Sequence, residues 1–558
     1  MIFTLIFATI ILYIIQFYYK YFTRVNPLPG PIPLPIIGNL KLSVFRNADK
    51  FYSELKRKYG DICEIMLSGR RVIILSNPKD FNKMFTMSTK SPYTTRFPMS
   101  GGLADIFPPT FGVSSNKDIK SWRYNRHLFV QVVMSSPYLQ GVLNWTNKCF
   151  FELESYLNDL YMINENTPRE IDLNKWIVRF TNDVTAVLTF GERAYTMMAY
   201  YEVLSKEDNR KRSSEIKLVS YNTVEKSEKF IESFKIYLGG GTFFIVVPRL
   251  LRNYFPGLKG KTQRLYANRD YLYNAFSELI TQRRKEIENE SIDETINRRD
   301  MLSSLIISNT ERDTKRKDSN SHSENELHNK PMTDEQIRFN LIDAFSGSSD
   351  TTSNFISILI YYITKYPEVK KKIFDEIDNI FNGDITRPVT QNDIKELKYC
   401  PAVIREVSRF HPILPTLPRY ITEPDNLAGY NWSAGTQFYF NITGILQHPS
   451  YWEDPEKFIP ERFFDDQLNK DLRNLLFGFG VRNCPGYKSS MIELQCFLCL
   501  LFRKYDIELV DPNVPLKTVI GFLTACLELP VRIKLRKGKS QFIFKSLEFK
   551  FRQRSISD

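Results

Sequence analysis

The sequence predicts a mainly α protein with small β-sheets, preceded by one N-terminal transmembrane helix. Apolar residues recur at helical spacing over most of the chain between residues 40 and 535. Two β-type stretches, one near Ile62–Leu75 and one near the C-terminus, interrupt this pattern and predict the sheets. An apolar run at the N-terminus predicts the membrane helix.

The membrane helix is predicted from Ile2–Tyr19, in which only two threonines and one glutamine are polar. As a helix this run would extend for about 27 Å, which is enough to cross a thin bilayer. A cleaved signal peptide is the alternative, but no basic segment precedes the run and no convincing cleavage site follows it. Lys20 and Arg24 follow the run, so the remainder of the chain is expected in the cytoplasm.

Composition divides the chain into four segments. Residues 1–22 form the anchor, and residues 23–40 form a proline-rich hinge that is too stiff for a helix and serves as a spacer. Residues 41–535 form the main domain, with a polar surface loop at 308–331. Residues 536–558 are a basic, Phe-rich tail that either lies on anionic lipid or is solvated.

The charge and the cysteines exclude some functions. The 558 residues include 76 Lys and Arg against 63 Asp and Glu, a net charge of +13. Because these charges are scattered, nucleic-acid binding has little support, and a basic face for an acidic protein partner fits better. The seven cysteines show no disulfide-scaffold spacing, so a reducing compartment is expected. Cys496 and Cys499 lie in an apolar helix without a second pair, which favours core packing over zinc binding.

A long buried helix is predicted after Thr333, which forms a capping box with Gln336. Apolar residues then follow at spacings of three and four. The interior of this helix carries residues 347–352, GSSDTT, where a glycine, an acid and several hydroxyl groups are unfavourable for packing. Such violations of local packing rules tend to mark functional sites.

The most specific motif is residues 477–486, FGFGVRNCPG. Its glycines at 480 and 486 can take positive φ or let the backbone pass close to a flat ligand. Pro485 suits the first turn of a helix, which predicts that Cys484 lies at a helix N-terminus. That position favours the thiolate over the thiol, as a metal ligand requires.

Two neighbours of the cysteine complete this motif. Arg482 is close enough in sequence to pair with a carboxylate of the ligand by charge-assisted hydrogen bonds. Phe477 would screen the sulfur from water. Together these features predict a haem iron held by one cysteine thiolate, and hence redox chemistry at iron.

The ten-residue run matches Phe-x-x-Gly-x-Arg-x-Cys-x-Gly, and the chain therefore resembles the cytochrome P-450 family of haem-thiolate proteins, in its eukaryotic microsomal type. Chance would produce this pattern on the order of 10⁻⁴ times in such a chain. Residues 347–352 resemble the family's distal-helix pattern, although Ser348 replaces its second glycine, which leaves the widening of the helix open. The resemblance extends from the proline hinge to about residue 535.

The resemblance implies that haem b, iron protoporphyrin IX, is bound through the axial thiolate of Cys484. Trp122 and Arg126 lie one helical turn apart and match partners of a haem propionate, as does Arg419. Asp350 and Thr351 match the acid and the alcohol that relay protons on the oxygen-binding face.

A further set of residues matches a structural cluster of the family. Glu406 and Arg409 share one helical face and are expected to bond Arg462 in a buried charge cluster that supports the Cys484 loop. We expect no catalytic role for these residues.

The activity implied by the resemblance is that of a monooxygenase, which inserts one oxygen atom of O2 into a lipophilic organic substrate. The sequence carries no flavin or nicotinamide motif, so electrons are expected from an NADPH-dependent cytochrome P-450 reductase, with cytochrome b5 as a further donor. The protein is then expected in the endoplasmic reticulum membrane, with its catalytic domain facing the cytosol. Two alternatives stay open: a haem-thiolate isomerase or dehydratase acting on hydroperoxides, against which the Asp350-Thr351 pair argues, and a non-catalytic haem-binding membrane protein.

The resemblance also implies which segments face the substrate. These segments are mainly apolar, which favours a lipophilic substrate, although plain core packing explains each aromatic residue in them equally well. They are Phe107–Phe111, Phe234–Phe255, Ala344–Phe345, Ile413–Pro418 and Ile520–Thr524.

Overall fold

The computed structural model describes residues 2–35, 38–39, 48–67, 69–85, 88, 90–95, 103–107, 110–207, 221–247, 249–291, 294, 298–313, 330–464, 475–520 and 523–537. Within these residues the protein is mainly helical with small sheets, as the sequence predicts. Most of the predicted polar loop and of the basic tail, residues 314–329 and 538–558, lies outside them.

The helices range from single turns to more than thirty residues. They are α1 (Ile2–Phe22), α2 (Ala48–Tyr59), α3 (Lys79–Met84), α4 (Ile119–Val133), α5 (Ser136–Tyr161), α6 (Leu173–Phe190), α7 (Thr196–Glu207), α8 (Tyr221–Val246), α9 (Arg249–Tyr254), α10 (Pro256–Asn289), α11 (Met301–Ile307), α12 (Asp334–Lys365), α13 (Pro367–Phe381), α14 (Gln391–Glu396), α15 (Tyr399–Phe410), α16 (Ile442–Leu446) and α17 (Tyr487–Phe502).

The strands are short. They are β1 (Ile62–Leu67), β2 (Arg70–Leu75), β3 (Arg169–Asp172), β4 (Thr416–Tyr420), β5 (Asp425–Leu427), β6 (Tyr430–Trp432), β7 (Gln437–Asn441), β8 (Tyr505–Leu509), β9 (Thr518–Ile520), β10 (Thr524–Cys526) and β11 (Pro530–Leu535). The largest sheet has the order β1-β2-β7-β4, in which β2 and β7 pair in parallel and the other neighbours are antiparallel. The predicted β stretch at Ile62–Leu75 thus forms the hairpin of this sheet.

The hydrophobic core is built around α12, which packs chiefly against α6, while α17 packs against α5. The capping box predicted at the start of α12 is present, because Thr333 accepts from the Gln336 backbone and the Gln336 side chain accepts from Thr333. Cys496 and Cys499 are fully buried in α17. Both cysteines belong to the main hydrophobic core, where the sequence predicts them.

The N-terminal helix α1 stands apart from this core. Its segment Phe3–Phe22 is long and apolar enough to cross a membrane, and Tyr21, near its C-terminal end, is its one buried side chain. Among the described residues, no other helix meets the same criteria. This helix is the element that the sequence predicts as a membrane anchor.

The residues after α1 are extended, but they lie on the main sheet rather than spanning a gap. The Glu64 backbone N–H donates to the Pro29 carbonyl at 3.0 Å. A Cβ on Gly30 would lie 2.1 Å from the Glu64 carbonyl oxygen, so only glycine allows this close approach. The predicted hinge is therefore docked on β1 through its described residues, while residues 36, 37 and 40 lie outside the description.

Candidate active site

The loop that carries Cys484 is fixed by its own backbone. The Cys484 N–H donates to the Phe477 carbonyl at 2.7 Å, and a 3₁₀ turn spans Gly480–Arg482 in between. Gly478 and Gly480 have φ of 70° and 71°, in the region that favours glycine. Positive φ was expected at position 480, and Gly478 adds a second such position that the motif alone does not indicate.

The helix after this loop begins later than the sequence predicts. The first residue of α17 is Tyr487 and its N-cap is Gly486, which has a φ of −90°. Pro485 and Gly486 form a turn ahead of the helix, so Cys484 lies before the helix rather than at its N-cap. The prediction of Pro485 in the first turn is therefore wrong, because the glycine supplies the N-cap instead.

Cys484 differs from the other cysteines in its exposure. Of the chain's seven cysteines, all of which the structure describes, Cys484 is half-buried and the remaining six are buried. Burial raises the pKa of the Cys484 thiol, while the Gly486 N–H and the Arg126 guanidinium act in the opposite direction. Burial therefore favours the thiol in this loop, against the sequence-based expectation of a thiolate, and the positive charge of a bound iron would favour the thiolate.

The side chain of Arg482, within the cysteine loop, contacts the ring of Trp122. The Arg482 guanidinium lies 3.8 Å from the centre of the Trp122 ring. It donates to three backbone carbonyls, those of Thr94 at 3.1 Å, Val113 at 3.4 Å and Asn116 at 2.9 Å. Each of these bonds fixes the orientation of the planar guanidinium group.

The other two predicted arginines occupy different surroundings. Arg126 donates to the Asn483 carbonyl at 2.9 Å and to the Asn483 side chain at 2.6 Å, and lies 5.7 Å from the Trp122 ring. Arg419 is buried and lies 4.2 Å from the Phe85 ring. Because Arg419 is buried, it is not a solvated surface arginine. The structure thus brings Arg126, Trp122 and the cysteine loop into direct contact.

These residues fit a haem. The indole Nε1 of Trp122 is buried and has no hydrogen-bond partner among the described residues, so it is available to a ligand oxygen. The guanidinium groups of Arg126 and Arg482 both lie near the Trp122 ring, and a haem propionate is an anion that such groups bind. Arg126 also bonds Asn483, the residue before the half-buried Cys484, so the thiol belongs to the same loop.

The expected charge cluster behind the loop is present. Arg409 donates two hydrogen bonds of 2.8 Å to Glu406, and both side chains are fully buried. Arg462 donates to the same carboxylate at 3.3 Å. Arg409 also binds the carbonyls of Pro455 and Lys457, and thereby holds the segment that leads toward the cysteine loop.

One face of the middle of the distal helix α12 carries a stripe of accessible residues. Ala344, Ser348 and Thr351 are partly exposed and Gly347 is exposed, at the i, i+3, i+4 and i+7 positions of one helical face. A Cβ on Gly347 would meet no atom of the described residues within 4 Å. The Thr351 hydroxyl on this stripe donates to the Gly347 carbonyl at 2.5 Å. From the sequence, Thr351, and therefore this stripe, is expected on the oxygen-binding face of the haem.

Asp350 lies on a different face of α12 from Thr351. It lines a small pocket between α6, α8 and α12, together with the Lys235 side chain. Burial raises the pKa of the Asp350 carboxyl, and the positive charge of Lys235 opposes that rise. The Ser349 hydroxyl in the same pocket donates to Asn182 at 2.7 Å. Asp350 and Thr351 are adjacent in sequence but open into separate spaces.

The apolar segments expected to face a substrate are largely packed into the core. Phe345 on α12 contacts Phe234 at 4.5 Å between ring centres and Phe190 at 5.5 Å. The Thr524 N–H donates to the Ile413 carbonyl at 2.8 Å, which joins two more of these segments. Residues 108, 109, 248, 521 and 522 of these segments lie outside the described residues.

Sequence reasoning missed the acceptors that orient the arginines. The carbonyls of Thr94, Val113 and Asn116 and the side chain of Asn483 serve this purpose. Backbone carbonyls carry no sequence signal, since every residue has one. Asn483 lies inside the ten-residue motif, but at a position that the motif leaves open.

The chain was compared with known proteins. The sequence profile of the family described as cytochrome P-450 matches residues 28–535. Tabersonine 3-oxygenase of Catharanthus roseus is 24% identical over 494 residues, covering 88% of each chain. Amorpha-4,11-diene 12-monooxygenase of Artemisia annua is 24% identical over 515 residues, covering 91% of this chain and 90% of the relative.

A solved structure supports the same assignment at the level of the fold. The crystal structure of the haem domain of a cytochrome P-450DA mutant aligns with a TM-score of 0.69 at 16% identity. The alignment covers 92% of this chain and 98% of that domain. From its sequence profile and its fold, this chain belongs to the cytochrome P-450 family of monooxygenases, whose members bind haem through a cysteine thiolate.

Proposed function

We propose that Cys484 is the axial haem ligand and that this monooxygenase inserts one oxygen atom of O2 into a lipophilic substrate. One observation carries the proposal: Arg482, two residues before the half-buried Cys484, contacts the ring of Trp122, whose buried indole N–H has no partner among the described residues. The guanidinium groups of Arg126 and Arg482 lie 5.7 Å and 3.8 Å from the centre of the same ring. A cysteine sulfur for the iron, together with anion-binding groups for the propionates, is what a haem with a thiolate ligand requires.

Each residue near the haem then has a separate task. Haem with a thiolate ligand supplies the oxygen chemistry, because the thiolate favours O–O cleavage. Trp122, Arg126 and Arg482 bind propionate oxygens, and Arg419 is a further partner because it is buried rather than solvated. Phe477 fixes the Cys484 backbone through its carbonyl and shields the sulfur with its ring.

Protons reach the distal face by way of α12. Asp350 takes up protons from its pocket, where Lys235 is exposed to solvent. The Thr351 hydroxyl passes protons on from the accessible stripe of the helix. Because the two side chains lie on different helical faces, water must complete the path between them.

Electrons come from an NADPH-dependent flavoprotein reductase that docks on the basic surface around the cysteine loop. Lys120, on the same helix as Arg126, and Lys488, four residues after Cys484, are both exposed. Exposed lysines attract an acidic partner and accelerate its association. The anchor α1 would hold the protein in the endoplasmic reticulum membrane with this surface in the cytosol, since basic residues follow the apolar run.

The substrate class is lipophilic. The segments around Phe234, Phe345 and Ile413 are apolar, and a membrane anchor brings the protein close to apolar compounds. The relatives named tabersonine 3-oxygenase and amorpha-4,11-diene 12-monooxygenase act, by their names, on organic molecules of this kind. Identity near 24% transfers the reaction class to this chain rather than either substrate.

The carbon monoxide spectrum of the reduced protein tests the haem assignment. We expect the red-shifted Soret band of a thiolate ligand in the wild type, and its loss in Cys484→Ala. Cys63→Ala is the matched control, because Cys63 is a buried cysteine on β1, and this variant should keep the band. A histidine-type spectrum of the wild type would overturn the assignment. Product formation that depends on reductase and NADPH separates a monooxygenase from a hydroperoxide isomerase.

A further inference from the structure

Asp343 is an acid on the distal helix to which the proposed function assigns no task. It lies on α12, seven residues before Asp350. Its carboxylate accepts hydrogen bonds from the Val113 N–H at 2.7 Å, the Ser114 N–H at 2.9 Å and the Ser114 hydroxyl at 2.5 Å. Three donors from one loop thus converge on a single carboxylate.

The loop is shaped to receive this carboxylate. Gly112 has a φ of +74°, in the left-handed region that side chains disfavour. A Cβ at this position would lie 2.3 Å from the Asp343 Oδ2 atom and 3.4 Å from the Phe339 carbonyl oxygen. Both the conformation and the space at Gly112 therefore require glycine.

The same loop holds Arg482. The Val113 residue whose N–H binds Asp343 presents its carbonyl to the Arg482 guanidinium at 3.4 Å. Three residues further on, the Asn116 carbonyl accepts from Arg482 at 2.9 Å. Asn116 also braces the loop internally, since its side chain donates to the Gly112 carbonyl at 3.3 Å. Asp343 is thus linked to Arg482 through a few residues of backbone.

We propose that Asp343 is a positioning residue for haem binding, which acts by fixing the 112–116 loop and through it the Arg482 guanidinium. This inference rests on the proposed function, in which Arg482 binds a haem propionate. Without the carboxylate, the Val113 and Ser114 N–H groups lose their acceptor and the loop shifts. Arg482 then loses two of its three carbonyl partners, and its guanidinium leaves the Trp122 face.

The consequence is a link between the two sides of the haem. The distal helix carries the accessible stripe at Gly347 and Thr351, and it also carries the residue that fixes an arginine of the cysteine loop. Ligand-induced movement of α12 would then reach the propionate side through Asp343.

The test compares substitutions at Asp343 with a matched control. Asp300 is the control because it is a buried acid that also accepts from a backbone N–H, that of Ser303, and from a serine hydroxyl. It also lies close to a left-handed glycine, Gly191, but it pairs with Arg283 far from the cysteine loop in sequence. Asp300→Asn should therefore lower stability without touching the Arg482 contacts.

Haem loss is the readout. The purified holoproteins are mixed with an excess of a haem-scavenging apoprotein, and the rate of Soret transfer is measured beside the urea midpoint of each variant. We expect Asp343→Ala to lose haem about tenfold faster than the wild type, and Asp343→Asn by less because one oxygen acceptor remains. Gly112→Ala should resemble Asp343→Ala. Asp300→Asn should shift the urea midpoint but not the rate of haem loss.

The outcomes distinguish failure of the positioning role from failure of the proposed function. If the wild type binds haem with a thiolate spectrum, and haem loss from Asp343→Ala is unchanged or only as fast as from Asp300→Asn, the positioning role is overturned alone. If the wild type takes up no haem, the proposed function falls and this inference falls with it. A faster loss specific to Asp343 and Gly112 supports the inference.

Discussion

At the scale of single residues, the site depends on polar groups held where water does not reach. The Trp122 N–H is buried without a partner among the described residues, and three backbone carbonyls orient the buried Arg482 guanidinium. Glu493, nine residues after Cys484 on α17, is a third buried polar group. Its Oε1 atom has no hydrogen-bond partner among the described residues. Such a carboxyl favours the neutral form.

The substitution Glu493→Gln should stabilise the folded protein relative to the wild type, and this difference should increase as the pH rises. Burial raises the pKa of Glu493 from 4.5 to about 8. Between these values the unfolded chain has released the proton while the folded protein keeps it, so the wild type loses stability with rising pH. The amide of Glu493→Gln does not titrate, so the variant lacks this loss of stability. The difference in urea midpoint between the two should grow from pH 5 to pH 8 and level off above.

Glu508→Gln on β8 serves as control, since Glu508 is exposed, and it should show no such growth. A difference between Glu493→Gln and wild type that is independent of pH would contradict the prediction.

Asp350→Asn should lower turnover while leaving the haem in place. The substitution keeps the size of the side chain but removes its proton, and a positioned acid contributes about 10²- to 10⁴-fold to such steps. The thiolate-type carbon monoxide band should be unchanged, because no residue of the cysteine loop lines the Asp350 pocket. Ser346→Ala alters the same pocket without an acid and should turn over normally. Equal turnover of Asp350→Asn and wild type would refute the role of the acid.

At the scale of elements, helices present the site and buried charges hold the segments between them. The capping box at Thr333 starts α12, which runs for 32 residues through the core. Glu406 and Arg409 on α15 form a buried pair, and Arg409 binds the carbonyls of Pro455 and Lys457 in the segment after α16. Removing one member of such a pair leaves an uncompensated charge.

Arg409→Met should reduce stability by about 3–5 kcal/mol, because the buried Glu406 would lose its partner. Glu406→Gln with Arg409→Met should cost less than the sum of the two single changes, since the neutral amide no longer needs the guanidinium. The free energies of unfolding of the three variants measure this. Additive losses would show that the two side chains act independently.

At the scale of the whole molecule, a buried carboxylate connects the anchor to the main domain. Glu64 on β1 is paired with Arg24, just after α1, and with Arg71 on β2. Arg71 also donates to the Val25 carbonyl at 2.6 Å. These contacts tie the residues that follow α1 to the main sheet.

Glu64→Gln should expose the hinge to proteolysis. Arg24 is mostly buried against the carboxylate, and the amide cannot pair with it as an ion. In membranes, trypsin should cut after Arg24 at least about fivefold faster in the variant, given the loss of a charged hydrogen bond. Release of the main domain from the membrane measures the rate. Glu54→Gln, an exposed acid on α2, is the control, and equal release from both variants would contradict the prediction.

Much of the site could be predicted because the chemistry of the cofactor demands particular side chains at fixed spacing. Cys484, Arg482, Trp122 and Arg126 are brought together as expected, and Arg419 is buried. The start of α17 was predicted too early, because a proline suits both a turn and a first helical turn. Gly112 and Asp343 gave no signal, since their meaning depends on a contact between distant parts of the chain.

The sequence by itself determined the mainly helical class, the N-terminal apolar helix and the cysteine motif, because periodicity, apolar length and local spacing are properties of neighbouring residues. Only the tertiary structure decided that Asp350 and Thr351 face different spaces, and that backbone carbonyls orient Arg482. It also decided that Asp343 holds the loop at residues 112–116. These contacts form only when distant parts of the chain pack together in the core. Residues 230 positions apart carry no local sequence pattern that indicates such a contact.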